Sequence, residues 1–293
     1  MSHRFVNRDR IEALDPERDA RDIYALSATE DFPWDYAQAL GLALFRTYAV
    51  PSIGELLART GEFTERTQKR YDDTVLLMDA ALEHGIDQER GRAAVRRINQ
   101  MHRAYGIANE DLLYVLCTFI VVPIRWIDTW GWRPSTRNER EASAHLYAEM
   151  GRHMGIHFEQ RSYDDFATFM DAYERDHFAP TAGGHDVATA TLRLLTTFRP
   201  FVALPATVAT RLSCALLDEP LLHALDLPVP TAVEQLLVRR GMRLRAQIER
   251  LMPPRRSPKR ARDLTSVRGY PRAGRDSLPL EEMGTFPCQR VHE

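Results

Sequence analysis

Apolar residues recur along this chain at the three-and-four spacing of helix faces, and no stretch alternates as a half-buried strand would. Pro33-Trp34 opens the helix WDYAQALGLALFRTYA, which stops before Pro51. A short helix, PSIGELLAR, then ends in the turn TGEF. The next helix is expected from Thr67 to His84, closed by Gly85, whose missing Cβ suits a left-handed cap. Gln88 to Tyr105 follows, with Asp87 as its expected N-cap and Gly106 as its stop. Asn109 is expected to cap the most apolar segment, which Pro123 should kink. Thr136-x-x-Glu139 and Ser162-x-x-Asp165 have capping-box spacing, the first opening a helix to Met154 and the second leading into YDDFATFMDAYERDHF. Beyond Gly183-Gly184 three or four more helices are expected, the last being PTAVEQLLVRRGMRLRAQIERLM. The pattern predicts an all-α, single-domain helical bundle over residues 1–252, followed by a basic, proline-rich arm over 253–293.

Composition narrows the function. A net charge of −2 argues against a chain-wide nucleic-acid footprint. Cys117, Cys214 and Cys288 lie far apart, with no C-x-x-C pair. That pattern disfavours a disulfide framework or a cysteine zinc site and excludes C-x-x-C-H haem attachment, so a reducing cytoplasm fits best. The polar N-terminus has no secretory apolar region, and the chain is expected to be cytoplasmic. The longest apolar run, Leu112 to Ile124, would span only ~20 Å as a helix and is expected to be buried core, not a membrane span. Peripheral membrane contact stays open. The arginines after Pro253 allow a helical interaction module whose basic tail grips an acidic partner. Tyr270, Leu280 and Phe286 favour instead an arm anchored on the domain surface.

Two neighbouring helices carry the most informative polar residues. At 100° per residue Ala94, Ile98, Met101, His102 and Tyr105 share one stripe, so His102 points inward. The bland explanation is a core histidine held by one hydrogen bond. On the preceding helix Arg70, Thr74, Leu77 and Ala81 share a face, with Asp73 beside them. A buried charge is expensive, so this cluster is either a closed Arg70–Asp73 pair or the rim of a polar pocket. A histidine facing such a cluster makes a plausible cofactor site between helices. Elsewhere, His145, Glu149 and His153 border the apolar stripe of their helix and read as a wet flank, not a metal site. Paired Glu-x-x-His, G-x-S-x-G, GxGxxG and Walker patterns are absent.

Arg70-x-x-x-Thr74, followed 28 positions later by His102 in Arg-Ile-Asn-x-Met-His, resembles the haem-binding constellation of the rubber oxygenase family, which includes latex-clearing and MpaB-type oxygenases. DPERDARDIYAL, FPWDYAQALGLALFRTYAVPSIGELL, GIANEDLLYVL and PIRWIDTWGWR are similar to the MpaB-type branch, so the likeness covers roughly residues 10 to 180. The resemblance implies a helical bundle around non-covalent haem b, with His102 as the iron ligand and Arg70 and Thr74 lining the pocket. A second-shell acceptor on the other imidazole nitrogen would fix the ring. It also implies a haem-dependent oxygenase using dioxygen on a small hydrophobic, alkene-bearing substrate, with Arg70, Asp73 and Thr74 as candidate catalytic residues. In the rubber-cleaving branch a lysine precedes the threonine; here Asp73 stands there, and an ionised carboxylate donates no hydrogen bond to bound oxygen. Arg125 and Arg133 of PIRWIDTWGWR are candidates to meet haem propionates, or belong to the packed end of the apolar helix. A non-catalytic haem sensor or carrier would share the same pocket.

Overall fold

The computed structural model describes residues 4–199 and 201–284; the sequence-predicted anchor Phe286 and Cys288 lie outside them. The described residues are helical with no strand. In chain order the helices are α1 (Val6–Ala13), α2 (Ala20–Ala25), α3 (Pro33–Tyr48), α4 (Pro51–Thr60), α5 (Glu62–Glu65), α6 (Thr67–His84) and α7 (Glu89–Arg103). They continue as α8 (Asn109–Trp130), α9 (Arg137–His153), α10 (Tyr163–His177), α11 (Ala182–Leu195), α12 (Ala206–Cys214), α13 (Glu219–Ala224) and α14 (Ala232–Leu251).

Local chemistry explains most boundaries. Pro33 and Pro51 each sit in the first turn of a helix, where a missing N–H costs nothing. Both expected capping boxes form, Thr136 with Glu139 and Ser162 with Asp165. Gly85 closes α6 at φ 65° and ψ 172°, which is outside the expected left-handed helical region but is a backbone conformation that residues with a Cβ rarely adopt. Two expected caps are corrected. Asp87 accepts a hydrogen bond from Arg21 at 2.8 Å, leaving Gln88 at the N-cap of α7. Asn109 lies inside α8 behind an Ala108 N-cap, because its amide is engaged with both backbone groups of His157. The helices α1 and α2, and the π-turn Leu26–Asp31 that follows α2, were not anticipated. That turn carries Asp31 into the interior.

The 22-residue α8 is the bundle's central helix and runs through Pro123 uninterrupted. It is longer than the apolar run alone suggested, and by length and composition it is long enough to cross a membrane. Leu113, Tyr114, Cys117, Ile120 and Ile124 are nevertheless buried inside the main core. After α14 the chain returns over α6 and α7. Val267, Leu280 and Met283 sink into the main core, with Tyr270 packed against it. Some of the arm's arginines are engaged there, whereas Arg255, Arg256 and Arg272 stay exposed. Arg262 pairs with Glu83 and Asp79, and Arg275 donates to the carbonyls of Val267 and Tyr270.

Candidate functional site

Helices α6 and α7 pack side by side, and their facing stripes open onto a cavity of about 430 Å³. That volume lies within the ordinary range for small-molecule sites. Arg70 and Thr74 enter it from α6, and Ile98, Met101 and His102 from α7. Phe63 and Tyr48 close another side, and Phe119 of α8 forms part of the wall. The helical spacing that put Arg70, Thr74 and His102 on inward faces therefore brings all three together.

His102 is enclosed by protein, and the surface left to it lines the cavity. Burial, reinforced by the nearby Arg70 charge, pushes its pKa down to about 4, so the imidazole is neutral at physiological pH. Its Nδ1 is buried with no hydrogen-bond partner among the described residues, and the expected second-shell acceptor on that nitrogen is absent from them. A neutral imidazole with an unsatisfied nitrogen is an unusual element in a packed interior. Because Nδ1 is buried, the nitrogen of this cavity-lining imidazole that suits a haem iron is Nε2.

Arg70 is the second anomaly. Its guanidinium donates to Thr74 Oγ1 and lies over the Phe63 ring, 5.0 Å from the centroid. Among the described residues no carboxylate forms an ion pair with it, and burial holds its pKa below the usual value. Thr74 Oγ1 in turn donates to the Arg70 carbonyl at 2.8 Å, which fixes the rotamer that receives the guanidinium. An enclosed cation without a counter-ion fits an anionic group arriving with a ligand, such as a haem propionate. The residues present thus fit haem b on two independent counts, a ligating nitrogen and an uncompensated charge.

Three other sequence-predicted site residues are placed elsewhere. Asp73 is turned away from the cavity toward the C-terminal arm. Its carboxylate takes Lys69 Nζ, the Tyr270 hydroxyl at 2.6 Å and the Gly284 amide at 2.8 Å, so it is not paired with Arg70 and lines neither cavity. Arg133 is buried between Asp31 and Glu139, both at 2.7 Å, and does not line the cavity of His102 and Arg70. Arg125 points outward and makes a two-pronged pair with Asp171 at 2.7 and 2.8 Å. The indoles of that segment are packing elements: Trp126 donates to Asp35 and Trp132 to the Asp31 carbonyl. Among the described residues no cluster of histidine, cysteine or carboxylate groups could hold a metal ion; His102 is the one histidine lining the cavity, and its one carboxylate, Asp111, is engaged by Ser52 and Tyr173.

Sequence reasoning missed Phe63, Tyr48 and Phe119, which reach the cavity from three other elements and carry no polar signature. It also missed a second cavity of about 330 Å³, which shares Leu44, Thr74, Met78 and Phe119 with the first. Its walls include Tyr24 and Tyr147, whose hydroxyls bond each other at 3.0 Å and leave largely apolar surface inward. Thr74 thus stands between the compartment holding His102 and Arg70 and a second one beneath the C-terminal arm, both walled mainly by apolar side chains.

Fold and site define a class: a helical bundle with a neutral, unsatisfied histidine facing an uncompensated arginine across an interhelical cavity. Residues 29–247 match the family described as ER-bound oxygenase mpaB/B'/rubber oxygenase, catalytic domain, and the chain belongs to that family. It is 34% identical over 158 residues to the ER-bound oxygenase mpaB of Penicillium roqueforti (strain FM164), covering 52% of this chain and 53% of that protein. The mpaB of Penicillium brevicompactum is 35% identical over 132 residues, 43% of this chain and 34% of that protein. The chain therefore aligns with about half or less of each of these relatives. The structure of latex clearing protein in its closed state superposes with a TM-score of 0.52 at 15% identity, covering 80% of this chain and 68% of that one, which establishes a shared fold.

Proposed function

We propose that this chain is a haem b-dependent oxygenase that uses dioxygen on a small, hydrophobic, alkene-bearing substrate, oxygenating or cleaving its carbon–carbon double bond. The observation that carries the reading is the pairing in one cavity of a neutral His102 with Arg70, which has no counter-ion among the described residues. Family membership supports an oxygenase, and the apolar second cavity supports a hydrophobic substrate. Non-covalent haem would supply the redox chemistry of dioxygen activation. His102 would hold the iron through its neutral imidazole. Arg70, steadied by Thr74 and Phe63, would bind the anionic edge of the macrocycle and keep it in register. Leu44, Met78 and Phe119 would exclude water and offer an apolar bed beside Thr74.

The test is a haem titration of the purified full chain followed by absorbance. A saturable Soret band is expected, and in His102→Ala the band should shift or vanish. No band, or the same band in the variant, ends the ligand assignment. Oxygen consumption with prenylated or unsaturated lipids then separates an oxygenase from a haem carrier, which would show none above free haem.

A further inference from the structure

The exposed apolar residues of this protein are not scattered. Twelve large hydrophobics are strongly exposed among the described residues, and eleven of them lie between 202 and 252. Isolated exposed leucines need no explanation, but a concentration of this kind marks an interaction surface. Its centre is α14, a 20-residue helix with a single buried residue, Met242, which anchors it against Trp126 and Ala39.

Turning α14 at 100° per residue shows how its surface is arranged. Val233, Leu237, Leu244, Ile248 and Leu251 fall within a sector of about 60° on the side away from Met242. Arg239, Arg243 and Arg250 form an adjacent exposed row about 40° wide. Arg240 lies between the two sectors, and the exposed Arg255 and Arg256 follow the helix. The two acids of α14 are withdrawn: Glu234 is bound by Arg211, and Glu249 is turned inward against Arg245. Val202, Leu204 and Val208 are exposed on the turn before α12 and its first turns, and α12 packs against α14.

The charge distribution selects the occupant. A second copy docking on the same face would bring arginine rows together with no free carboxylate from α14 to separate them. A narrow apolar stripe beside arginines that form no ion pair among the described residues, Arg250 lying 5.9 Å over the Phe5 ring, fits a helix in the plane of a bilayer whose headgroups are anionic. We propose that α14 is such a helix. Its leucine stripe enters the boundary between headgroups and acyl chains, its arginine row meets lipid phosphates and carboxylates, and α12 extends the contact. The bilayer is touched, not crossed, because the inner side of α14 remains packed on the bundle.

The test is flotation of the full chain, as purified, with extruded vesicles of phosphatidylcholine alone or with about a third phosphatidylserine. Binding to the phosphatidylserine vesicles is expected, falling steeply as salt rises. A triple variant Arg239→Gln, Arg243→Gln, Arg250→Gln should bind them about a hundredfold more weakly. A second triple variant, Leu237→Ser, Leu244→Ser, Ile248→Ser, should lose binding while melting like the parent, because all three side chains are exposed. Failure of the parent to float, equal binding to both vesicle types, or full retention by either variant overturns the proposal. So does a dimer by light scattering that the serine variant dissociates, an outcome that assigns the face to a second copy.

Discussion

Replacing Arg70 with methionine should pull stability and cofactor affinity in opposite directions. In the haem-free protein the guanidinium is enclosed without a counter-ion, a situation that costs several kcal/mol even after relaxation. The bond to Thr74 returns about 1.5–3 kcal/mol and the contact with Phe63 about 1 kcal/mol. A deficit of about 1–2 kcal/mol remains. Methionine is similar in length, fills the space above Phe63 and leaves Thr74 satisfied by the residue-70 carbonyl. The haem-free Arg70→Met protein should therefore melt roughly 2–6 °C above the parent in a thermal scan. Loss of the charge-assisted contact to an arriving propionate removes about 1.5–3 kcal/mol, so haem titration should show affinity lower by roughly tenfold to a hundredfold. A variant that melts below the parent and binds haem equally well would refute the idea that Arg70 is held in wait for an anion.

Three further outcomes are expected. The His102 pKa is about 4 in the folded protein against 6.5 for the free side chain, so between those values the unfolded chain binds more protons; this stability is complete above pH 6.5 and lost as pH falls toward 4. Haem-free parent should lose about 2 kcal/mol more than His102→Gln between pH 7.5 and pH 5 in urea titrations, and parallel pH profiles would contradict the burial of the imidazole. Arg133→Ala strands Asp31 and Glu139 and should cost about 3–5 kcal/mol while leaving the Soret band of folded protein unchanged; a changed band would return Arg133 to the haem site. Asp73→Ala releases Tyr270 and Gly284, so limited proteolysis should cut the C-terminal arm faster with haem binding kept; loss of haem binding with an intact arm would place Asp73 at the site after all.

The site was half legible from the chain. Arg70, Thr74 and His102 could be placed because each belongs to a helix whose apolar stripe is visible in the local sequence. Asp73 lies one position from that stripe, too close for periodicity to separate the two faces. Its partners Tyr270 and Gly284 come from 197 and 211 positions away. Arg133 looked like a propionate contact because Asp31, which neutralises it, is delivered by a π-turn with no sequence signature. The caps show the same limit. Thr136 and Ser162 cap as their spacing predicts, whereas Asp87 and Asn109 were drawn off by a distant arginine and a distant backbone strand of loop.

Helix identity, most helix boundaries and the inward direction of the histidine and arginine were determined by the sequence itself, since prolines, glycines, capping residues and the 3.6-residue period act over one or two turns. Which polar groups compensate one another was decided only in three dimensions. A carboxylate chooses its partner by distance and burial, and folding brings Asp31 to Arg133 and leaves Arg70 without one among the described residues. The outward face of α14 is of the same kind. Its amphipathic pattern is local, but only the packed bundle shows that one side is already satisfied through Met242 and that the leucines are left in water.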